Sequence, residues 1–355
     1  MKDKKKKLTK GNDAIARAAI AAGCRYYFGY PITPQSEIPE HLSRAFPMLG
    51  AVFLQAESEI ASINMLLGAG SAGKRVMTSS SGPGISLMQE GISYMAGSEV
   101  PGVIVNVQRS GPGLGGISPS QGDYFQATRG GGHGDYRTPA LAPSSVQEMW
   151  DLTVLAFDLA DRYRTPVMVM ADAMLGQMKE PLEERIPEFP PLPAKDWITQ
   201  GCEGREPRVI KSLYLGEGEL EKHCWRLHEK FLKIKERETR FEEFMLEDAE
   251  LVVVAFGSAA RIAKTSIMQA RERGKKAGLL RPITLCPFPE ERLSELADQG
   301  KSFLVVELNT GQMLEEVRMA VGRRARISFY GRPNGAGSLP TSDDILHEIM
   351  EAFPG

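Results

Sequence analysis

Four short segments carry side chains that could do chemistry, and each stands where an apolar run ends. In Tyr30-Pro31-Ile32-Thr33-Pro34 the prolines restrict the backbone on both sides of a hydroxyl. A stiff loop with Thr33 at a helix start suits a carboxylate or phosphate oxygen. Taken alone, the pentapeptide reads first as a Pro-flanked helix start. In Gln55-Ala56-Glu57-Ser58-Glu59 the acidic residues suit a helix dipole behind a Ser58 cap. The functional reading is a glutamate aimed into a cleft, able to hydrogen-bond and relay a proton. Thr78-Ser79-Ser80-Ser81-Gly82-Pro83-Gly84 strings together small residues, which let a ligand approach the backbone closely. Arg109 follows another apolar run and offers a fork for a carboxylate, or one half of a surface ion pair.

Two other motifs are weaker. Gly111, Gly113 and Gly116 match GxGxxG, but a dinucleotide fingerprint needs a helix opening inside the motif, and Pro119 stands there instead. Gly130-Gly131-Gly132-His133-Gly134-Asp135 places a histidine in a flexible loop, more often a hydrogen-bonding or interface residue than a general acid. The remaining histidines, at 41, 223, 228 and 347, form no ligand set. Cys24, Cys202, Cys224 and Cys286 are scattered without CxxC spacing, so no metal or iron–sulfur site is expected on this chain.

The elements that must position these residues alternate. Apolar β-prone runs at 25–29, 51–55, 75–78, 102–107 and 166–170 are separated by helical patterns at 58–72, 85–96 and 145–161. That alternation predicts a mostly parallel sheet covered by helices, with its site at the carboxyl ends of the strands. A proline-rich connector with Pro187, Pro190, Pro191 and Pro193 follows. Apolar residues from Leu220 to Met245, at steps of three and four broken once at Glu238, then predict one helix roughly 40 Å long. Strand runs at 251–255, 278–283, 302–307 and 325–329 and a closing helix at 342–350 predict a second, smaller α/β domain. The expected division is 1–185, 186–248 and 249–355.

A net charge of −2 over 355 residues offers no electrostatic case for nucleic acid or an anionic membrane as a main partner. The basic run at 2–7 reads as a solvated arm. No apolar stretch long enough to span a bilayer and no signal-like segment is present, which points to the cytoplasm.

In order along the chain, Tyr30-Pro31-Ile32-Thr33-Pro34, residues 57–61, residues 78–84, Gln108-Arg109 and Ser120-Gln121-Gly122-Asp123 resemble the pyrimidine-binding domain of 2-oxoacid:ferredoxin oxidoreductases. Val254-Ala255-Phe256-Gly257-Ser258, Arg281-Pro282 and Glu307-Leu308-Asn309-Thr310-Gly311-Gln312 resemble that family's transketolase-C-like domain. The resemblance implies two helix-covered, mostly parallel sheets and an alpha subunit that shares thiamine diphosphate with a beta subunit. It assigns Thr33 and Arg109 to the 2-oxoacid carboxylate. Glu59, rather than Glu57, goes to the cofactor's aminopyrimidine ring, with Pro31, Ile32, Ser81 and Gly82 as further cofactor contacts. No Gly-Asp-Gly followed by a distant asparagine occurs, so the diphosphate, Mg2+ and [4Fe-4S] clusters are expected on partners: the beta subunit, with gamma and ferredoxin-like delta subunits. Coenzyme A and ferredoxin are the implied co-substrates. The longer matches, 126–137 among them, are most similar to the branched-chain (3-methyl-2-oxobutanoate) type, then to the 2-oxoglutarate type. A thiamine-dependent decarboxylase subunit and a non-catalytic scaffold are the alternatives.

Overall fold

A computed structural model describes residues 6–333 and 339–353, so most of the basic run at 2–7 lies outside the described residues. The chain begins with β1 (Lys7–Lys10), α1 (Gly11–Ala21), β2 (Tyr26–Gly29), α2 (Glu37–Met48) and β3 (Val52–Gln55). It continues through α3 (Glu59–Ser71), β4 (Val76–Ser80), α4 (Pro83–Gly97), β5 (Gly102–Gln108) and α5 (Tyr124–Thr128). Then come β6 (Ala140–Leu141), α6 (Val146–Tyr163), β7 (Pro166–Asp172), α7 (Ala173–Gln177) and β8 (Lys179–Leu182).

The main sheet of this half has the order β6-β7-β5-β4-β2-β3, all parallel. Its strands alternate their faces. Val103, Val105 and Val107 of β5 pack with α1, α2 and α6, while Ile104 packs with α3 and α4. The sheet buried on both sides explains why β5 and β7 are apolar until Asn106, Gln108 and Asp172 near their carboxyl ends. Helix α1 is rich in alanine because it lies close on α6 and α7; a Cβ at Gly11 would stand 2.0 Å from the Leu175 carbonyl oxygen.

The second half contains α8 (Glu219–Glu238), β9 (Phe241–Phe244), β10 (Leu251–Val254), α9 (Gly257–Glu272), β11 (Ala277–Pro282) and β12 (Thr284–Cys286). It ends with α10 (Glu290–Asp298), β13 (Ser302–Glu307), α11 (Gln312–Val321), β14 (Ile327–Gly331) and α12 (Ser342–Ala352). Its sheet runs β14-β13-β10-β11-β9, parallel except for β9.

The 40 Å helix is a correction. Helix α8 stops after 20 residues, about 30 Å. Glu238, the break in its apolar stripe, is buried instead by the Tyr163 hydroxyl at 2.7 Å and by Arg240 at 2.8 Å. Thr239 turns extended, and Phe241 to Phe244 pair antiparallel with β11. In an edge strand Phe-Glu-Glu-Phe sets its two phenylalanines on opposite faces, Phe244 half-buried and Phe241 exposed.

The two sheets are not independent. Strand β12 leaves the second half and joins the first sheet antiparallel to β6. Ser258 Oγ donates to Asp172 Oδ2 at 2.5 Å, tying the start of α9 to the end of β7. Gln121 is the main clasp. Its amide nitrogen donates to the Phe256 carbonyl at 2.8 Å, its side-chain oxygen accepts from Leu308 N at 3.0 Å, and its backbone N–H reaches the Leu308 carbonyl at 3.1 Å. Gln121→Ala strands two buried backbone groups, at about 1–3 kcal/mol each. It should therefore lower stability by at least ~2 kcal/mol, read as a drop in the denaturant midpoint against wild type.

Candidate active site

Strand β3 ends at Gln55, and the chain turns into α3 with Ser58 Oγ accepting from Ala61 N at 3.2 Å. That cap fixes the first turn of the helix and drives Glu59 inward: Glu59 is buried, while Glu57, two residues earlier, is exposed. The burial selects Glu59 of the two carboxylates. Its only hydrogen bond among the described residues comes from Ser80 Oγ at 3.4 Å, which leaves most of its acceptor capacity unused.

The turn from β4 into α4 closes over it. A Cβ at Gly84 would lie 2.4 Å from Glu59 Oε1 and 2.1 Å from Ser80 Oγ, so only glycine lets the turn descend this far. Gly82 adopts φ +39°, and a Cβ there would meet Arg109 Cγ at 3.6 Å. One short turn thus separates the candidate acid from the candidate carboxylate fork. Beneath it, Ser81 Oγ and Thr78 Oγ1 are buried without partners.

Arg109, at the end of β5, is buried and has no ion-pair partner among the described residues. Its Nη1 donates to the Thr33 carbonyl at 3.0 Å and its Nη2 to the Leu114 carbonyl at 3.1 Å, while Nε has no partner. A buried guanidinium held by neutral carbonyls alone is poised for an anion. Thr33 stands at the site through its backbone, its side chain exposed on the 30–34 loop, and α2 begins only at Glu37. Pro31 borders a separate hollow of about 230 Å3 with Gly29 and Phe53. Ile32 is half-buried.

The Gly111, Gly113 and Gly116 segment opens no helix. Ser110 N donates to the Ser118 carbonyl at 3.0 Å and closes it into a loop hung on Arg109.

A cleft of about 410 Å3 runs from Gly82 and Arg109 to Asn309, Thr310 and Gln312 of the second half. The 307–312 segment is held rigid from within. Glu307 accepts from Met313 N, Leu314 N and Asn309 Nδ2 at 2.8–2.9 Å, and burial pushes its carboxyl up to about 7. Asn309 Nδ2 and Gln312 Nε2 then donate to the Gln121 and Gly122 carbonyls. These residues were legible only as a motif; their work is to set the second half against the cleft. Asp123, also part of a motif and given no role by it, stands in the cleft wall.

Residues 17–201 match the family described as pyruvate flavodoxin/ferredoxin oxidoreductase, thiamine diphosphate-binding. Residues 249–345 match pyruvate:ferredoxin oxidoreductase core domain II. The chain belongs to the 2-oxoacid:ferredoxin oxidoreductase family, as a subunit. It is 53% identical over 346 residues, 97% of each chain, to ketoisovalerate oxidoreductase subunit VorB of Methanothermobacter thermautotrophicus. It is 41% identical, over 96% of this chain and 97% of the other, to 2-oxoglutarate synthase subunit KorA of the same organism. Among solved structures, 2-oxoglutarate:ferredoxin oxidoreductase from Magnetococcus marinus superposes with a TM-score of 0.86 at 27% identity. That match covers 99% of this chain and 66% of the other. Among the described residues, no helix is long and apolar enough to cross a membrane.

Proposed function

We propose that this chain is the alpha subunit of a branched-chain 2-oxoacid:ferredoxin oxidoreductase. The complex would convert 3-methyl-2-oxobutanoate (ketoisovalerate) and related 2-oxoacids, with coenzyme A, to acyl-CoA and CO2 while reducing ferredoxin in the cytoplasm. The observation that carries the reading is the 53% identity to a ketoisovalerate subunit, against 41% to a 2-oxoglutarate one. The cleft agrees: Arg109 is the one cation among its described lining residues. A single carboxylate is matched there, whereas the distal carboxylate of 2-oxoglutarate would need a second counter-charge.

Thiamine diphosphate, when bound, supplies an acidic ring carbon that adds to the 2-oxoacid carbonyl. The residues present fit its pyrimidine end: Glu59 is buried with free acceptor capacity, and Ser81 Oγ is orphaned under a glycine turn. Glu59 would hold the aminopyrimidine, with Pro31, Ile32, Ser81 and Gly82 around the cofactor. Arg109 and Thr33 would hold the substrate carboxylate.

A beta subunit would bring the diphosphate and Mg2+ anchor and [4Fe-4S] clusters, with gamma and ferredoxin-like delta subunits completing the assembly. Leu54, Ile60, Leu87, Leu114 and Ile117 stand exposed around the carboxyl ends of the strands, an apolar rim suited to such a partner. Co-expressed with its beta subunit, the chain is expected to give a kcat/KM for 3-methyl-2-oxobutanoate more than about tenfold above that for 2-oxoglutarate, ~1.4 kcal/mol. A tenfold preference the other way overturns the substrate. Turnover by the chain alone overturns the shared site.

A further inference from the structure

The cleft carries one charge of each sign. Besides Arg109 its wall includes Asp123, which opens α5 and is half-buried. Strand β5 and the turn into α4 converge on Asp123. Asn106 Nδ2, from β5, donates to its Oδ2 at 2.9 Å. Its own backbone N–H donates to Gln108 Oε1 at 3.3 Å, and the Gly82 N–H faces its carboxylate. The charged group that acts on it is Arg109, beyond ion-pair distance. From the second half the cleft presents neutral Leu308, Asn309, Thr310 and Gln312, and Glu307 is spent behind them on α11 and Asn309.

A carboxylate is an odd wall for a site built to take one. While Arg109 is free, its field and the Asn106 and Gly82 N–H groups offset part of the burial of Asp123. An arriving substrate carboxylate neutralises Arg109 and adds a like charge nearby, and both effects favour the protonated form of Asp123. The two events are linked and therefore reciprocal.

We propose that Asp123 is a positioning residue that sets the affinity of the carboxylate site, taking up a proton as the 2-oxoacid seats on Arg109. The inference rests on the assignment of Arg109 to the substrate carboxylate. Burial already raises the Asp123 carboxyl above its ordinary range, the direction this requires. Protonated, Asp123 still accepts from Gly82 or Asn106 and keeps the Gly82 turn against Arg109.

The test uses the reconstituted complex and the KM for 3-methyl-2-oxobutanoate as a function of pH. Wild type is expected to show KM rising with pH, by up to about tenfold per pH unit where one proton is taken up. Asp123→Asn should flatten that rise and lower KM at the alkaline end, because the opposing charge is gone and an acceptor oxygen remains. Asp123→Ala should also be flat but with lower kcat, since the Gly82 turn loses its anchor. Titration calorimetry of 3-methyl-2-oxobutanoate into the complex stripped of thiamine diphosphate, in two buffers of different ionisation enthalpy, counts the proton directly.

Proton uptake by wild type that disappears in Asp123→Asn supports the proposal. An unchanged KM–pH slope in Asp123→Asn overturns it, as does an Asp123→Asn phenotype matching that of Asp123→Ala. If Arg109→Ala leaves KM untouched, the carboxylate assignment itself has failed. If Arg109→Ala raises KM and Asp123→Asn does nothing, only the present inference falls.

Discussion

Glu59→Gln is expected to slow exchange of the C2 proton of thiamine diphosphate bound to the reconstituted complex by roughly 10²–10⁴-fold, the usual worth of a positioned acid–base group. The fold should survive. Glutamine has the same shape, and Ser80 Oγ at 3.4 Å is a long contact that an amide oxygen can replace. What is lost is the proton that a carboxyl group can share with a ring nitrogen and an amide cannot. Glu57→Gln is the matched control, because Glu57 is exposed and should leave exchange at the wild-type rate. Proton exchange measured by NMR, with cofactor occupancy checked in parallel, separates a lost relay from lost binding. Equal exchange in Glu59→Gln and wild type would remove Glu59 from the proposed role.

The strands and helices around the site were legible because they obey simple periods. Strands β5 and β7 are apolar but for Asn106, Gln108 and Asp172 toward their carboxyl ends, and α3, α4 and α6 stand between strands as longer helical runs. Helix α1 was not, because its buried face is mostly alanine, with Gly11, Asn12 and Ile15, and carries little hydrophobic contrast until α6 and α7 are set against it. The end of α8 was missed for a different reason. Phe241 and Met245 are four apart, which fits a helical stripe, and only the pairing of 241–244 with 279–282 of β11 decides for a strand. Tertiary pairing is invisible to a local period.

The candidate site was legible in kind rather than in geometry. Residue types at strand ends made Thr33, Arg109 and the two glutamates candidates, and the family resemblance chose Glu59; the structure shows that Glu57 and Glu59 differ in which way the Ser58-capped turn faces them. Thr33 was read for its hydroxyl, but its carbonyl is what Arg109 holds. Gln121, Asn309 and Gln312 act across the junction of the two sheets, between residues nearly 190 positions apart. No spacing rule reaches that far.

The Thr33 carbonyl changes what substitution at the carboxylate site should do. Arg109→Ala removes a charge-assisted fork worth about 1.5–3 kcal/mol, so kcat/KM for the 2-oxoacid should fall roughly 10- to 150-fold while thiamine diphosphate still binds. It also frees the 30–34 loop and the Leu114 end of the 110–118 loop, since both hang on the same guanidinium. Thr33→Ala deletes a hydroxyl but leaves the carbonyl and therefore the loop in place, so its loss should be smaller. Arg109→Lys keeps the charge but cannot bridge two carbonyls and a carboxylate at once, and should resemble Arg109→Ala more than wild type. Because the arginine holds the threonine loop, the double variant Thr33→Ala/Arg109→Ala should be less impaired than the product of the single effects. Steady-state kcat/KM for the four proteins in one reconstituted complex decides it. Strict additivity would mean that Arg109 and Thr33 serve the substrate independently and that the 3.0 Å contact between them carries no coupling.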